Sequence, residues 1–355
     1  MKRDAYLDDT DAALADAALR YSRQRYAFDG RQRLAPGQRR FDAQAWQEIA
    51  EMGWLSVATS EEDGGLGVRA GSIALLAQAA GAAGINEPLA STGFIAADLL
   101  RLHATARQRA QWLPRLLAGK LRVACAFAAD GGSLRRDGKR LHGRCEVVLD
   151  ADLADLLLLE VGSGADARWH AVRTDAAGLQ RTAYPLMDGR GAATLDLDGC
   201  AAEPLADSND EHSRLVAALA TAADALGAME TAFALTLEFV KARKQFGVTI
   251  GSHQVVAHRA VDMLIRLEEC RAVVARAAQA LASDTKGAYE VHAAKAFVGP
   301  QARLLAQEAV QLHGGIGITE EYAASHCLRR ILVDERLFGD ARHHLRRFAA
   351  SPQTR

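Results

Sequence analysis

Several features that mark whole classes of protein are scarce in this sequence. The formal net charge is only −1 over 355 residues, so no strong field of one sign would attract nucleic acid or an anionic membrane. The five cysteines are odd in number and scattered, and none forms a CxxC pair. This pattern argues against a zinc site and predicts reduced, structural thiols of a cytoplasmic protein.

Long apolar runs are also missing from the sequence. No apolar stretch reaches the roughly 18 residues that a membrane span needs, and the first ten residues are charged, unlike a signal peptide. There is no internal repeat, heptad run or low-complexity linker. The composition, 49% hydrophobic and 25% charged, is that of a globular, enzyme-sized chain. We therefore expect a cytoplasmic location without a membrane or nucleic-acid partner.

The spacing of apolar residues changes twice along the chain and predicts three domains. Residues 1–120 and 209–355 show helical spacing, whereas in residues 121–208 the period falls towards two. Helices, then strands, then helices predict the α+β class. The predicted strands are Val123–Ala128, Lys139–Leu149, Leu156–Val161, Trp169–Thr174, Arg181–Leu186 and Ala193–Leu197. The predicted long helices are Ser213–Phe246, Gln254–Ser283, Gly287–Leu312 and a final stretch past Glu320.

Two short blocks carry groups that suit a nucleotide. The first, Arg243-Lys244-Gln245-Phe246-Gly247, ends a predicted helix and is followed by His253-Gln254. Cations in a last turn suit the helix dipole, and glycine is a usual stop, so a capped helix end explains the block. The same arginine can also fork onto a phosphate, and the phenylalanine offers a face to adenine. On the residues alone both interpretations stay open.

The second block is Gln311-Leu312-His313-Gly314-Gly315. Adjacent glycines after a helix leave backbone N–H groups open to an anion, although a capped helix end again explains the pattern. A helix rather than a strand precedes these glycines, which argues against a Rossmann loop. Histidines of this region lack the spacing of metal ligands on one helix, so no metal site is predicted.

The order of these blocks and their distance from the C-terminus resemble the C-terminal half of the acyl-CoA dehydrogenase family. The resemblance covers most of the chain, including Trp46–Gly67 and Leu186–Leu195. Its most specific part is Gln311–Leu345, in which the segment Leu337–Leu345 resembles the small subunits of heteromeric dehydrogenases, such as the pimeloyl-CoA and steroid side-chain types. The resemblance implies an N-terminal helical domain, a central β-barrel or sandwich domain and a C-terminal four-helix bundle.

Family members bind FAD between subunits, and the C-terminal helices of one subunit reach a cofactor held mainly by its neighbour. The resemblance therefore implies that a set of residues in this chain would contact a partner's FAD. His253 and His313 lie inside the same motifs and would contribute through backbone or ring contacts. The residues that match the family motif are Arg243, Phe246, Gln254, Gln311, Gly314 and Gly315.

The half of the site that would hold a flavin in this subunit departs from the family pattern. Ala129 stands in place of a threonine, although Ser133 keeps a Gly-Ser step. Val147 and Leu149 stand where the family has tryptophan and threonine. An aliphatic side chain cannot stack on a flavin as an indole does, and leucine offers it no hydrogen bond. As parts of a strand, both residues are explained by core packing.

The family's catalytic carboxylate is also absent from its usual positions. Oxidation of an acyl-CoA needs a carboxylate that removes the α-proton. The two positions at which the family carries it are occupied by Phe338 and by Ala217-Ala218. The catalytic residue therefore stays unknown. The nearby carboxylates, for which capping or surface charge is the simpler interpretation, are Asp340, Asp224 and Glu230.

Most residues that would hold a flavin in this subunit depart from the family pattern, whereas the residues that would contact a partner's flavin match it. We therefore predict the accessory subunit of a heteromeric acyl-CoA dehydrogenase, two of each chain, with an acyl-CoA substrate and electron-transfer flavoprotein as acceptor. Two alternatives stay open: a self-sufficient homo-oligomeric dehydrogenase with a base such as Asp340 or Asp224, and a flavin-free scaffold of the same fold. The acyl group is not specified by these residues.

Overall fold

The computed structural model describes residues 9–26, 41–128, 133–162, 166–206, 211–283 and 287–351. The described residues form two compact units. One unit draws on Ala35–Ile73 and Asn86–Ala217, and the other on Met1–Leu34, Ala74–Ile85 and Ala218–Arg355. The division into three domains at residues 120 and 208 stays a prediction.

Two four-stranded sheets form the β part of the first unit. Their strand orders are β1-β4-β5-β8 and β2-β3-β7-β6, and among the described strands only the β1–β4 pair is parallel. Leu157 and Leu159 of the first sheet share one buried cluster with Leu141 and Leu195 of the second, so the sheets pack face to face. This sandwich confirms the implied architecture. The strands are β1 Val123–Ala126, β2 Arg135–Asp137, β3 Arg140–Leu149, β4 Leu156–Val161, β5 Arg168–Arg173, β6 Leu179–Pro185, β7 Gly191–Ala201 and β8 Glu203–Pro204.

All six predicted strands are present, with shifted ends. The first stops at Ala126 rather than at residue 128, and the last extends over Gly191–Ala201. Strands β2 and β8 were missed by the sequence prediction. They are three and two residues long, and β2 is wholly exposed, so neither has an apolar alternation to read.

Most of the described chain outside these sheets is helical. Thr92, in a π-helical segment Leu89–Ala96, ties the helices of the first unit to β1, because its hydroxyl donates to the Val123 carbonyl (3.1 Å) and accepts from the Val123 N–H (3.0 Å). The α-helices are α1 Asp9–Arg25, α2 Ala43–Glu51, α3 Ala70–Ala83, α4 Ala97–His103, α5 Ala106–Leu117, α6 His212–Ala242, α7 Gln254–Ser283, α8 Gly287–His313, α9 Ala323–Arg336 and α10 Ala341–Ala350.

Two corrections concern the C-terminal helices. Helix α6 ends at Ala242, short of the predicted Phe246, and the stretch past Glu320 is two helices broken between residues 336 and 341. The described C-terminal part thus has a fifth, short helix, α10, beyond the four expected for a bundle. Helix α7 has the bounds predicted from its amphipathic spacing.

Helices α7 and α8 are antiparallel neighbours. Arg259 pairs with Glu308, and Arg266 donates to Gln301. Both pairs give the same register, which places the first residue of α7, Gln254, level with the last residue of α8. The start of one helix and the end of the other therefore lie at the same end of the pair.

Within the second unit, α3 and α6 cross at two glycines. A Cβ on Gly81 would overlap the backbone oxygen of Asp224, and one on Gly227 would overlap that of Gln78. Glycine is thus required at this crossing because the two backbones are too close for any side chain.

Helix α6 corrects the prediction that no apolar stretch is long enough to span a bilayer. Among the described helices it alone passes the test of length and composition, with a mean hydropathy of 1.3 in its best 18-residue window. Of that window, 89% is buried inside the protein. A helix covered by protein on all sides needs the same apolar composition as a membrane span, so composition alone is weak evidence for a span.

All five cysteines are free thiols in buried positions, as predicted. Burial raises the pKa of Cys270 to about 12 and raises that of Cys125 as well. These thiols stay protonated near neutral pH and are inert as nucleophiles.

Candidate functional site

The first block forms a β-hairpin rather than the end of a helix. Lys244–Gln245 pairs in antiparallel fashion with Val248–Thr249, and Phe246 and Gly247 form the two-residue turn between them. Their φ angles, 53° and 85°, are those of a type I′ turn. Of the two open interpretations, the capped helix end is therefore wrong for this block, because the glycine lies in the hairpin turn and not at a helix stop.

Phe246 is not explained by packing within its own chain. Its side chain is 95% exposed, and its left-handed backbone costs an L-residue roughly 1–2 kcal/mol. Asparagine or glycine is the usual residue at this position of a type I′ turn. An exposed aromatic ring on a strained turn is typical of a group that contacts another molecule.

Arg243 sits at the base of the hairpin. Its N–H donates to the Phe239 carbonyl (2.8 Å) and its carbonyl accepts from the Ile250 N–H (2.9 Å), which ties the hairpin to α6. The side chain is exposed and has no hydrogen-bond or ion-pair partner among the described residues. The exposed amides of Gln254 and Gln311 likewise have none in the described part of the chain. These groups are available to a ligand.

The second block forms the end of α8 and a 3₁₀ turn, Gly314–Ile318. Gly314 has a φ of 65°, so its own backbone requires glycine. Gly315 is different. It has no left-handed φ, and a Cβ built on it would meet nothing within 4 Å. Nothing among the described residues requires glycine at that position, which points to close approach by another molecule.

His313 is buried, only 5% exposed, between these elements. Its Nδ1 donates to the Ala309 carbonyl at 2.7 Å, and its Nε2 lies 3.1 Å from the Tyr322 hydroxyl. Burial lowers its pKa, against the opposing effect of the Ala309 and Leu235 carbonyls, so the ring is neutral near pH 7. The ring is held by contacts within this chain, and a contact of His313 with a cofactor through its backbone or ring stays a prediction.

His253 precedes α7 and caps it through its backbone. Its carbonyl accepts from the N–H groups of Val256 (3.0 Å) and Ala257 (3.1 Å), while its side chain is exposed. The ring makes no hydrogen bond or ion pair with the described residues, and a ring contact with a ligand stays a prediction.

The two blocks meet at one end of the second unit. The His313 ring lies 4.5 Å from that of Phe239, centroid to centroid, which joins the end of α8 to the end of α6. The start of α7 lies level with the end of α8, as described above. We call this region, residues 243–254 and 311–318, the hairpin end. It also carries exposed apolar side chains: Phe246, Val248, Ile316 and Ile318.

Family models match both ends of the chain. The model for the N-terminal domain of acyl-CoA dehydrogenases matches residues 8–120, and the model for the C-terminal domain matches residues 213–351. The chain belongs to the acyl-CoA dehydrogenase family. The hairpin end lies wholly within the C-terminal match.

Individual acyl-CoA dehydrogenases resemble the chain over nearly its full length. The acyl-CoA dehydrogenase IpdE2 of Mycobacterium tuberculosis is 29% identical over 310 residues, 87% of this chain and 86% of the relative. A variant of the Tcur3481–Tcur3483 steroid ACAD has 27% identity and a TM-score of 0.88, with 96% of each chain covered. A glutaryl-CoA dehydrogenase from Mycobacterium smegmatis in complex with FADH2 shares the fold at 20% identity, with a TM-score of 0.85 and coverage of 98% and 95%.

At the positions where the family holds a flavin in its own subunit, two residues behave differently. Leu149 is buried (3% exposed), as core packing predicts. Val147 is 49% exposed, so its core-packing interpretation is wrong. A β-bulge between Cys145 and Val148 turns Val147 out of the alternation.

Ser133 is exposed, and its N–H donates to the Arg144 carbonyl at 2.8 Å. Ala129 lies outside the described residues.

A cluster at the end of β1 was missed by sequence reasoning. The Glu160 carboxylate accepts from the Ala128 N–H (2.8 Å) and pairs with Arg214. The Arg214 guanidinium lies 4.8 Å from the centroid of the Phe127 ring, and Trp169 packs on that ring edge-on at 5.2 Å. The residues just before the loop that would serve this subunit's own flavin thus contact Glu160, Trp169 and Arg214. Their separation in sequence left no local signal.

The three carboxylates near the family's base positions all have structural roles. Asp224 forms a buried two-pronged pair with Arg330, at 2.7 and 2.6 Å. Glu230 pairs with Arg271. Asp340 caps α10 by accepting from the His343 N–H at 2.9 Å, and this hydrogen bond lowers its pKa.

The family's main base position is built as an apolar turn. Phe338 and Gly339 have φ angles of 56° and 103°, and the Phe338 carbonyl accepts from His344 Nε2 at 3.0 Å. A phenylalanine at this position cannot remove a proton.

Proposed function

We propose that this chain is the accessory subunit of a heteromeric, FAD-dependent acyl-CoA dehydrogenase, where it completes the FAD site of a catalytic partner. The hairpin end carries this proposal. Phe246 is fully presented on a strained turn, and Gly315 is a glycine that the chain itself does not need. Both features are explained if another molecule lies against them.

The groups at the hairpin end fit the chemistry of FAD. Arg243 would pair with the pyrophosphate, because a guanidinium forks onto phosphate oxygens. Phe246 would lie against the adenine, and Gln254 and Gln311 would hydrogen-bond to polar atoms of the dinucleotide. The bare backbone at Gly314 and Gly315 would donate N–H groups to it. When bound, FAD supplies the hydride acceptor for α,β-desaturation of an acyl-CoA thioester.

The same chain is poorly equipped for a complete site of its own. Val147 is an exposed aliphatic residue in place of an indole, and Phe338 occupies the main base position. Asp224 and Glu230 are held in ion pairs, and Asp340 caps a helix. The partner would therefore supply the base. The name of the similar steroid ACAD, Tcur3481–Tcur3483, joins two proteins, which supports an assembly of two different chains.

Flavin stoichiometry tests this assembly. The chain would be co-expressed with a catalytic acyl-CoA dehydrogenase subunit, and the flavin absorbance of the purified complex compared with its protein content. We expect about one FAD per pair of chains and none in this chain purified alone. Stoichiometric FAD in the isolated chain would contradict the proposal and favour a self-sufficient enzyme.

Arg243 tests the role of the hairpin end directly. A charge-assisted bidentate contact is worth roughly 1.5–3 kcal/mol, so Arg243→Ala should weaken FAD affinity of the complex by about one to two powers of ten. Lysine should restore only part of it because it lacks the planar fork. The matched control is Arg342→Ala on α10, also an exposed arginine, which should leave FAD affinity unchanged. Unchanged affinity in Arg243→Ala would reduce Arg243 to a surface charge.

A further inference from the structure

One buried ring touches both halves of the hairpin end. His313 donates through Nδ1 to the Ala309 carbonyl of its own helix, at 2.7 Å. Its other nitrogen faces the Tyr322 hydroxyl at 3.1 Å, and its ring lies against those of Phe239 (4.5 Å) and Tyr322 (4.8 Å). Hydrogen bonds at both nitrogens fix the rotation of the imidazole as well as its position.

His313 contacts the segment that contains the glycine turn at both of its ends. Gly314 follows His313 directly. At the other end of the segment, the Tyr322 hydroxyl lies within hydrogen-bond distance of His313 Nε2. Between them Gly317 lies directly on His313, since a Cβ there would come within 2.9 Å of the His313 Cβ. The course of residues 314–322, and so the direction of the Gly315 backbone, depends on where the imidazole sits.

The hairpin is attached to the same ring through α6. Phe239, which stacks on His313, accepts the N–H of Arg243 at 2.8 Å. Arg243 in turn accepts the Ile250 N–H at the other side of the hairpin. The base of the hairpin is thus one helical turn from the Phe239 ring.

We propose that His313 is a positioning residue that holds the Arg243–Gly247 hairpin and the Gly314–Gly315 turn at a set separation. The two blocks can then contact one dinucleotide at the same time. This inference rests on the proposed function, because it assigns His313 a role in the FAD contact without touching the cofactor. An apolar side chain would stack on Phe239 equally well but could not hold Tyr322, so the imidazole is needed for the second hydrogen bond.

The test measures FAD affinity of the assembled complex by fluorescence titration, well below its unfolding temperature. His313→Ala should weaken affinity about tenfold. Tyr322→Phe removes only the hydroxyl and should weaken it roughly threefold. The double variant should be no weaker than His313→Ala, because the hydroxyl acts through the imidazole. His313→Asn, which keeps a donor near Nδ1, should recover part of the loss.

His292 provides a control on the same helix. It is as buried as His313, at 4% exposed, but lies 21 residues earlier, about 30 Å along α8. His292→Ala should lower the melting temperature of the complex and leave FAD affinity unchanged. A merely structural role for His313 would give the same result as His292→Ala.

Three results separate the outcomes. Wild-type affinity in His313→Ala, or an equal loss in His292→Ala, would overturn the positioning role. Should His313→Ala fail to fold, Tyr322→Phe decides the question, and wild-type affinity there overturns it as well. Arg243→Ala distinguishes the two proposals: if it loses FAD while the His313 and Tyr322 variants do not, only the positioning role fails; if it also retains FAD, the proposed function fails.

Discussion

Residues of the hairpin end differ in whether folding of this chain needs them. Gly314 is required by its left-handed backbone and Gly317 by the His313 side chain against it. Phe246 and Gly315 satisfy no such need. Residues that cost stability, or that folding leaves unconstrained, are the ones best explained by an external contact.

We therefore expect Phe246 to lower the stability of the isolated chain and to raise the FAD affinity of the complex. Phe246→Asn should raise the free energy of unfolding of the isolated chain by about 0.5–1 kcal/mol, because asparagine tolerates the left-handed turn better. The same change should weaken FAD affinity of the complex, since the aromatic face is lost. Chemical denaturation and FAD titration measure the two effects.

The control for Phe246 is a similarly exposed apolar residue away from the hairpin end. Leu345 of α10 is 58% exposed, and Leu345→Asn should change FAD affinity little. A drop in both stability and affinity on Phe246→Asn would show that the ring packs within this subunit.

At the scale of elements, the break between α9 and α10 depends on a buried histidine. His344 donates through Nε2 to the Phe338 carbonyl, and its Nδ1 accepts from Nδ1 of His292 at 2.9 Å. Lys295 of α8 and His343 of α10 lie close by. Burial lowers the pKa of His344 to about 3, and the nearby Lys295, His292 and His343 charges act in the same direction. Protonation of His344 would leave the bond from Nε2 to Phe338 in place, but Nδ1 could no longer accept from His292.

This element predicts loss of stability in acid. The unfolded chain binds a proton at His344 below about pH 6.5, whereas the folded chain does not until about pH 3. The stabilisation is therefore fully present above pH 6.5 and is lost as the pH falls through that window, by up to roughly 1.4 kcal/mol per pH unit. Urea denaturation of wild type and His344→Gln at several pH values measures it.

The variant should be less stable than wild type at pH 7, and the difference should shrink towards pH 4. His258→Gln, at an exposed position on α7, should leave the pH dependence unchanged. Parallel pH profiles of wild type and His344→Gln would contradict the assignment.

At the scale of the whole molecule, the groups suited to a cofactor lie at one end of one compact unit, and they face outward. A chain that makes only part of a cofactor's contacts binds that cofactor weakly on its own, so the cofactor adds little to the stability of the isolated chain. Binding to the folded state stabilises a protein by RT ln(1 + [L]/Kd), so the gain appears only where affinity is high.

We therefore expect FAD to raise the melting temperature of the two-chain complex in a concentration-dependent way and to leave the isolated chain unchanged. Differential scanning fluorimetry over a range of FAD concentrations measures both. Arg243→Ala should flatten the response of the complex. An equal shift for the isolated chain would show that this subunit carries a complete FAD site.

Local patterns predicted some parts of the fold better than others. Helix α7 has its predicted bounds because thirty residues of amphipathic spacing outweigh any single end signal. The hairpin was mistaken for a helix end because a cation-rich segment followed by glycine is common to both. Val147 was misplaced because a β-bulge shifts the alternation by one residue, which no pattern in β3 announces.

The sequence by itself determined the family, the α+β class and the identities of the residues at the hairpin end, because these depend on short motifs and long periodicities. Only the tertiary structure decided what each residue does. It showed Asp224 paired with Arg330, 106 positions away, Phe246 almost fully exposed, and His313 buried between the Phe239 and Tyr322 rings. Such roles depend on which distant segments meet, and the order of residues along a chain does not contain that information in readable form.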